Sequence, residues 1–343
     1  TKLLPQDNSN PTKGQDEYSI AGGAVKARVS ETVLAFGQQR PQSPVFGTSD
    51  ARLLPSYATG TTIASDEISG LHFQGGYFYS GSGENSTNQD GELKTVYGGT
   101  EFNNAEYAGF DYSFTDDLAI GLHAAKYSDV WNQYYADLYH TFSFSDDVSL
   151  SSSLNYYNTQ DTGRSEAGSI NNNTYSAAFA LAVGAQTFTL AHQRVNGDTP
   201  FDYVNVGGSD GNSIWLANSV QYSDFNVAGM KSYQARYALA LGALGVPGLS
   251  FMARYVRGSG GDGTNAEIGG AYEGATGSSA NQWERDIEVA YVIQEGAAKD
   301  LSFRIRQATW RSNNDMDTGY FGSDGAGAVD EIRIITEYPL DIL

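Results

Sequence analysis

A polarity that alternates every second residue, kept up in segment after segment, constrains this chain more than any other feature. LSFRIRQATWR (301–311) shows the pattern: Leu301, Phe303 and Ile305 fall on one face, Arg304 and Arg306 on the other. Successive side chains of a strand point to opposite faces, so both guanidinium groups share a face backed by an apolar one. A single strand of this kind fits a soluble sheet equally well. Its repetition decides more. AVKARVS (24–30), KSYQARYALAL (231–241), ERDIEVAYVI (284–293) and EIRIITEYP (331–339) keep the same two-residue period, which excludes amphipathic helices over those stretches.

The connections between these segments alternate in kind. One set is tight: TDD at 115–117, SDD at 145–147, GVPG at 245–248 and EGAAKD at 295–300. The other is long and rich in Gly, Asn, Ser and Asp, over 160–173, 196–212, 258–281 and 313–329. SFTDDLAIGL (113–122) and SFSDDVSLSS (143–152) are near copies, read as equivalent hairpin turns. Strands of about ten residues with short turns at one end and long loops at the other predict a transmembrane antiparallel β-barrel. Its outward faces are aromatic and aliphatic: Tyr233, Ala235, Tyr237 and Leu239; Ile287, Val289 and Tyr291; Ile332 and Ile334. Tyr near strand ends suits an interfacial girdle. The pattern counts to 15 or 16 strands in one domain over 1–343. A closed barrel leaves no edge, so one or two further strands are expected ahead of the first.

Composition agrees. The chain has 23 Tyr, 40 Gly and only 8 Pro, a usage of strands and turns. With no Cys, disulfides, thiolate metal sites and cysteine nucleophiles are excluded. A net charge of −20 disfavours general nucleic-acid binding, which needs a basic footprint. The longest apolar run, 237–253, contains Pro247 and is flanked by Arg236 and Arg254. Two strands around the GVPG turn fit it better than one membrane helix. The polar opening TKLLPQDNSN reads as a loop, and Gly81 to Gly91 as a flexible polar loop. The competing architecture, a soluble sandwich or propeller, would extract without detergent.

In a barrel the polar faces line the lumen. Lys26 and Arg28, Arg236, Arg254, Arg304 and Arg306, and Arg333 all fall opposite an apolar face. Such a column could pass a carboxylate from one bidentate partner to the next. Alternatively, these cations pair with Asp286, Glu288 and Glu337 and only fill the bore. The connection at 39–66, with Pro41, Pro44, Pro55, Val45, Phe46 and Arg52, is too apolar for a solvated loop and is the expected inward constriction.

Several segments carry a family resemblance, in order along nearly the whole chain: VLAFGQQRPQSPVF, SDARLLPSYATG, PFDYV, NSVQYSDFN, VPGLSFMARYVRG, KDLSFRIRQ and the terminal EYPLDIL. They resemble the OprD family of substrate-specific outer-membrane channels. The resemblance implies a monomeric barrel of 18 strands, about three of them ahead of this chain's first, narrowed by inward-folded loops and surrounded by outer-membrane lipid and lipopolysaccharide. It implies a lumenal basic ladder on which Arg304, Arg306 and Arg333 lie, with Arg52 in the inward loop; together with Arg28, Arg236 and Arg254 from the alternation these make the expected substrate path. It implies an opposing electronegative pocket of Tyr203, Tyr222, Ser223 and Asp224, joined by Tyr134 or Tyr135. The function implied is passive uptake of small carboxylate-bearing nutrients, either basic amino acids and peptides or organic acids such as benzoate, with no cofactor. The alternative from another class is a structural or adhesive barrel with a closed lumen and partner-binding loops.

Enzyme readings find little support. Gly207-Gly208-Ser209-Asp210-Gly211 matches G-x-S-x-G but lacks the strand-to-helix setting that a nucleophile needs. His72, His123, His140 and His192 have no metal-ligand spacing. Asp315, Asp317 and Asp324 could hold a calcium ion, although the ligand set is incomplete.

Overall fold

A computed structural model describes residues 4–7, 10–52, 54–208, 211–316 and 327–339. Its strands in chain order are β1 (Gln6–Asp7), β2 (Asn10–Gly14), β3 (Ala24–Val29), β4 (Thr32–Gln39), β5 (Tyr57–Ile68), β6 (Leu71–Ser82), β7 (Leu93–Thr95), β8 (Glu101–Phe102), β9 (Ala105–Thr115) and β10 (Leu118–Tyr127). They continue with β11 (Trp131–Ser145), β12 (Val148–Asp161), β13 (Asn171–Val183), β14 (Gln186–Asn196), β15 (Val204–Val206), β16 (Lys231–Ala240), β17 (Leu249–Gly261), β18 (Ala280–Val292), β19 (Ser302–Ser312) and β20 (Ala328–Glu337). Among the described residues, 15 of these form one sheet, β3-β4-β5-β6-β9-β10-β11-β12-β13-β14-β16-β17-β18-β19-β20, each strand antiparallel to its sequence neighbour. Among the described residues no helix is long and apolar enough to cross a membrane. The run at 237–253 is a hairpin, β16 and β17 joined through a 3-10 turn at Leu241–Leu244.

The burial pattern reveals the surroundings of this sheet. On β18, Glu284 and Asp286 are 0% and 1% exposed, whereas Val289 and Tyr291 are 43% and 40% exposed. A water-soluble sheet does the reverse, burying its apolar face. Charges turned inward and aliphatics turned outward belong to a barrel whose outside is lipid. Register enforces the separation, because a slip of one residue would exchange the two faces along a whole strand. The tight connections lie at one end: Ser30-Glu31, Ser69-Gly70, Asp116-Asp117, Asp146-Asp147 and Gly184-Ala185. Gly70 and Gly184 take φ of +78° and +54°, a region that costs glycine nothing.

Three of the long connections at the other end, β4–β5, β6–β9 and β14–β16, pack against the inner face of the sheet. Residues 83–104 carry β7 and β8, residues 197–230 carry β15, and these three form a small sheet of their own. Phe46 of the β4–β5 connection stacks on Phe78 and Tyr107 at 4.8 and 5.9 Å. Leu93, Phe201, Val204 and Val206 are buried in the same cluster. Backbone carbonyls of the β4–β5 connection are tied to the wall: the Tyr157 hydroxyl donates to Pro44 O at 3.0 Å, and the Tyr127 hydroxyl to Val45 O.

Three expectations need correction. The connection read over 39–66 spans only 40–56, because β5 begins at Tyr57. Thr- and Gly-rich YATGTT carries little apolar alternation to mark it as strand. The stretch around Gly81–Gly91 is less of a free loop than expected: β6 runs to Ser82, Gly81 bridges Gly91, and the chain beyond turns inward as β7. The polar amino-terminal stretch holds the short hairpin of β1 and β2.

Candidate functional site

Five lumenal arginines stand on adjacent strands. Register sets Arg236 beside Arg254, Arg254 beside Asp286, Glu288 beside Arg306, and Arg306 beside Arg333. Arg304 lies two residues from Arg306 on the same face of β19. Most of these cations have acid partners. Arg254 donates through Nε and Nη2 to Asp286 Oδ2 at 2.8 and 2.7 Å. Arg306 Nε pairs with Glu288, from which Arg304 Nε is 3.9 Å away. Arg333 Nε is 2.5 Å from Glu331 Oε1. Arg236 makes no hydrogen bond or ion pair among the described residues. Pairing does not use up a guanidinium, which has five donors. Arg306 is held through Nε, which leaves both terminal amino groups to the lumen.

The remaining basic positions are elsewhere. Lys26 and Arg28 lie on the same face by register, at the far edge of the sheet. Arg28 pairs with Glu31 of the adjacent turn and donates to Ser30 O at 2.9 Å. Arg52 belongs to the β4–β5 connection and donates to Ala51 O at 3.2 Å.

Asp224 is the centre of a second cluster. Its Oδ2 accepts the Tyr97 hydroxyl at 2.6 Å and the Tyr203 hydroxyl at 3.0 Å, and its Oδ1 accepts Ser219 Oγ at 2.5 Å. Burial and the Asp224 charge push the Tyr97 phenol well above its ordinary pKa, so it remains a donor. The expected pocket residues are only partly together. Tyr203 and Asp224 meet, whereas Tyr135 does not join them. Its hydroxyl donates to Asn155 Oδ1 at 2.7 Å and its ring packs on Tyr157 and Trp215. Tyr134 faces outward. Tyr222 packs on Trp310 at 5.2 Å, and Ser223 Oγ donates to Gln282 at 2.6 Å. The backbone amides of Tyr222 and Ser223 donate to Glu284, each at 2.8 Å. That turn therefore ties the Asp224 cluster to the arginine-bearing wall, where Gln221 also reaches Glu331.

Three carboxylates and a phenol escaped the sequence reading. Tyr97 lies in VYGG, a context with no repeat or alternation to mark it. Asp202 sits inside PFDYV and is fully enclosed. It accepts the amides of Tyr97, Gly98 and Tyr203 and the hydroxyl of Tyr272, at 3.0, 2.8, 2.7 and 2.9 Å. Burial pushes its pKa up to about 6 against the pull of those donors. Asp111 and Asp137 converge from β9 and β11 over Gly121 of β10. A Cβ at Gly121 would lie 2.2 Å from Asp137 Oδ1 and 2.8 Å from Asp111 Oδ1, so only glycine lets the two acids approach. His123 Nε2 is 3.3 Å from Asp111. An Asp within an otherwise aromatic strand, as in FDYSF and YADLY, was the available signal.

Ser209 and Asp210 of the G-x-S-x-G match, and Asp317 and Asp324 of the acidic loop, lie outside the described residues, as does the terminal LDIL. Asp315 accepts the Ser279 amide at 2.7 Å.

The chain matches the model of the "outer membrane porin, OprD family" over residues 1–342. It is 44% identical over 340 residues to Porin D of Pseudomonas aeruginosa, an alignment covering 97% of this chain and 75% of that protein. The improved crystal structure of Pseudomonas aeruginosa OprD superposes with a TM-score of 0.86 at 44% identity, over 95% of this chain and 81% of that one. Pseudomonas aeruginosa OpdK, crystallised with vanillate, superposes with a TM-score of 0.85 at 32% identity, over 99% and 82%.

Proposed function

The chain belongs to the OprD family of outer membrane porins, and from that premise we propose that small solutes bearing a carboxylate cross its lumen along the arginines of β16–β20. Family membership makes it a substrate-specific channel of the outer membrane, not an enzyme. The finer reading rests on one observation above the others: a row of lumenal guanidinium groups coupled through the 221–224 turn to a carboxylate with two tyrosine donors.

A solute carboxylate entering the bore exchanges water for donors that are already oriented. Arg236 offers an unpaired guanidinium, and Arg254, Arg304, Arg306 and Arg333 offer the donors left over by their acid partners. Because Asp286, Glu288 and Glu331 already offset part of the positive charge, the solute is held weakly. Passage needs such weak, repeated binding. Asp224 adds an anionic surface that favours a solute carrying a cation as well, so we propose a carboxylate with a second, basic group as the preferred substrate. An aromatic acid without that group is the competing substrate, as the vanillate in OpdK suggests. The connection at 40–56, together with 83–104 and 197–230, would form the constriction.

Uptake into liposomes containing the purified barrel tests this, with arginine, benzoate and an uncharged sugar of similar size compared. Faster entry of arginine than of both others is expected. Equal rates for all three would remove the role of the lumenal charges. A barrel that conducts nothing across many bilayer insertions would favour the closed, adhesive alternative.

A further inference from the structure

The outward face of the barrel also carries cations: Lys126 stands alone on β10, opposite Glu106, and five others are gathered in one band. Arg194 of β14 stands beside Lys231 of β16; Arg257 of β17 and Arg311 of β19 flank Trp283 of β18; and Arg285 of β18 pairs with Tyr255. Their register partners on the same face include Tyr175, Tyr233, Tyr255 and Trp283, so all five point away from the lumen. All five also lie in the half of their strands that leads to the long connections. Strand-borne cations on one band of the outer wall are unexpected in a chain with net charge −20, because lysine or arginine facing hydrocarbon is costly.

The band has the chemistry of an anion site. Arg194 and Lys231 line a cleft of about 610 Å³ with Asn196 and Ser259, and Arg257 and Arg311 line another of about 300 Å³ with Trp283. Lys231 and Arg257 make no hydrogen bond or ion pair among the described residues. The acids nearby are mostly engaged: Asp330 holds Arg311 at 2.8 Å, and Asp262 accepts Thr264 N and Oγ1 at 3.0 and 2.6 Å. Asp198 also lines the larger cleft. Toward the short-turn end, past the row of His192 and Tyr233, the same face turns apolar, with Leu190 beside Ala235 and Phe188 beside Tyr237.

We propose that this strip binds a phosphorylated lipid of the outer leaflet, its phosphates on Arg194, Lys231 and Arg257 and its acyl chains on the apolar rows beneath. Two features select a lipid over a free anion. The cations sit at the level where long extracellular loops leave the membrane, and beyond the row of His192 and Tyr233 the same face continues apolar. Tyr233, Tyr255 and Trp283 supply the amphipathic rings that favour the interface. The strip is separate from the solute path, since it occupies the opposite face of the same strands. It holds whatever the solute proves to be.

The experiment titrates the detergent-purified barrel with a bis-phosphorylated, hexa-acylated lipid A, with the same lipid after removal of its phosphates, and with inorganic phosphate. The phosphorylated lipid is expected to bind at least tenfold more tightly than the dephosphorylated one, and millimolar inorganic phosphate is expected not to displace it. The triple variant Arg194→Gln/Lys231→Gln/Arg257→Gln should lose about fivefold for each cation, about 100-fold in all, for the phosphorylated lipid only. Its single-channel conductance should equal that of the parent. Equal affinity for the two lipids overturns the proposal, and that comparison needs no variant. Full displacement by inorganic phosphate, or undiminished binding by a folded triple variant, overturns it as well.

Discussion

The lumenal arginines share a wall but differ in what surrounds each of them. Arg306 is tied to Glu288, while Arg236 has Arg254 as its register neighbour, makes no ion pair among the described residues and feels Glu288 only from beyond ion-pair distance. A solute carboxylate gains most from the cation that no ion pair holds. Arg236→Ala should therefore slow carboxylate uptake about tenfold, the worth of one charge-assisted hydrogen bond, and Arg306→Ala should slow it less. Uptake rates of the two variants in liposomes check the order, and a larger effect at Arg306 would refute it. Asp224 acts on the other charge. Asp224→Asn keeps an acceptor for Tyr97 and Tyr203 but removes the anion, so it should reduce preference for arginine over benzoate without lowering benzoate uptake. Competition between the two solutes measures that preference. Gly121 was not singled out from the sequence, since nothing in AIGLHAA distinguishes a glycine needed for close approach from one that merely tolerates a strand.

At the scale of the element, Asp202 is what joins the connections. It collects donors from 83–104, from its own segment and from Tyr272 of the β17–β18 connection. Its pKa in the folded protein is about 6, above its ordinary value of 3.8. Between those values the folded form holds a proton that the unfolded form has released. The contribution of this group to stability is therefore full below about pH 4 and declines as pH rises to about 6, by up to ~3 kcal/mol. Asp202→Asn should flatten that part of the stability profile, which thermal unfolding followed by tryptophan fluorescence between pH 4 and 7 would show. A profile of unchanged slope would place the titration elsewhere. Two wall hydroxyls hold the β4–β5 connection, alongside Glu84, which accepts from Ser49 Oγ and the Ala51 amide. Tyr127→Phe/Tyr157→Phe removes both donors and leaves the carbonyls of Val45 and Pro44 unpaired, at about 1–3 kcal/mol each. Noisier and larger single-channel conductance is the expected result, and a recording identical to the parent's would argue against this segment as a constriction.

For the whole molecule, the two faces of the sheet answer to different solvents. Val289 points to lipid and Ala290, its neighbour on β18, to the lumen. Val289→Arg should destabilise the barrel by about 2–4 kcal/mol, and Ala290→Arg by far less, because one cation enters hydrocarbon and the other water. Urea unfolding in lipid vesicles separates the two, and equal losses would mean that the outer face is not lipid-bound. That two-faced character was legible in the sequence because it is local: a side chain two residues on returns to the same face, and LSFRIRQ declares its faces without reference to anything distant. Tight turns such as SFTDD are local as well, so strand order and the ends of the hairpins could be read in advance. The strand beginning at Tyr57 could not, because Thr and Gly carry no polarity to alternate. The interior was even less legible. Tyr97, Tyr203 and Asp224 meet across up to 127 residues of chain, and Asp202 reaches 105 residues to Tyr97. Loops that fold into a bore bury polar groups that must then find partners, and those partners are fixed by which loops pack together. The sequence determined a lipid-facing barrel with charge turned inward, since the two-residue period is a property of each strand alone. Only the tertiary structure decided which acid each arginine keeps and which tyrosines surround Asp224, since those contacts exist only once distant connections share one enclosed space.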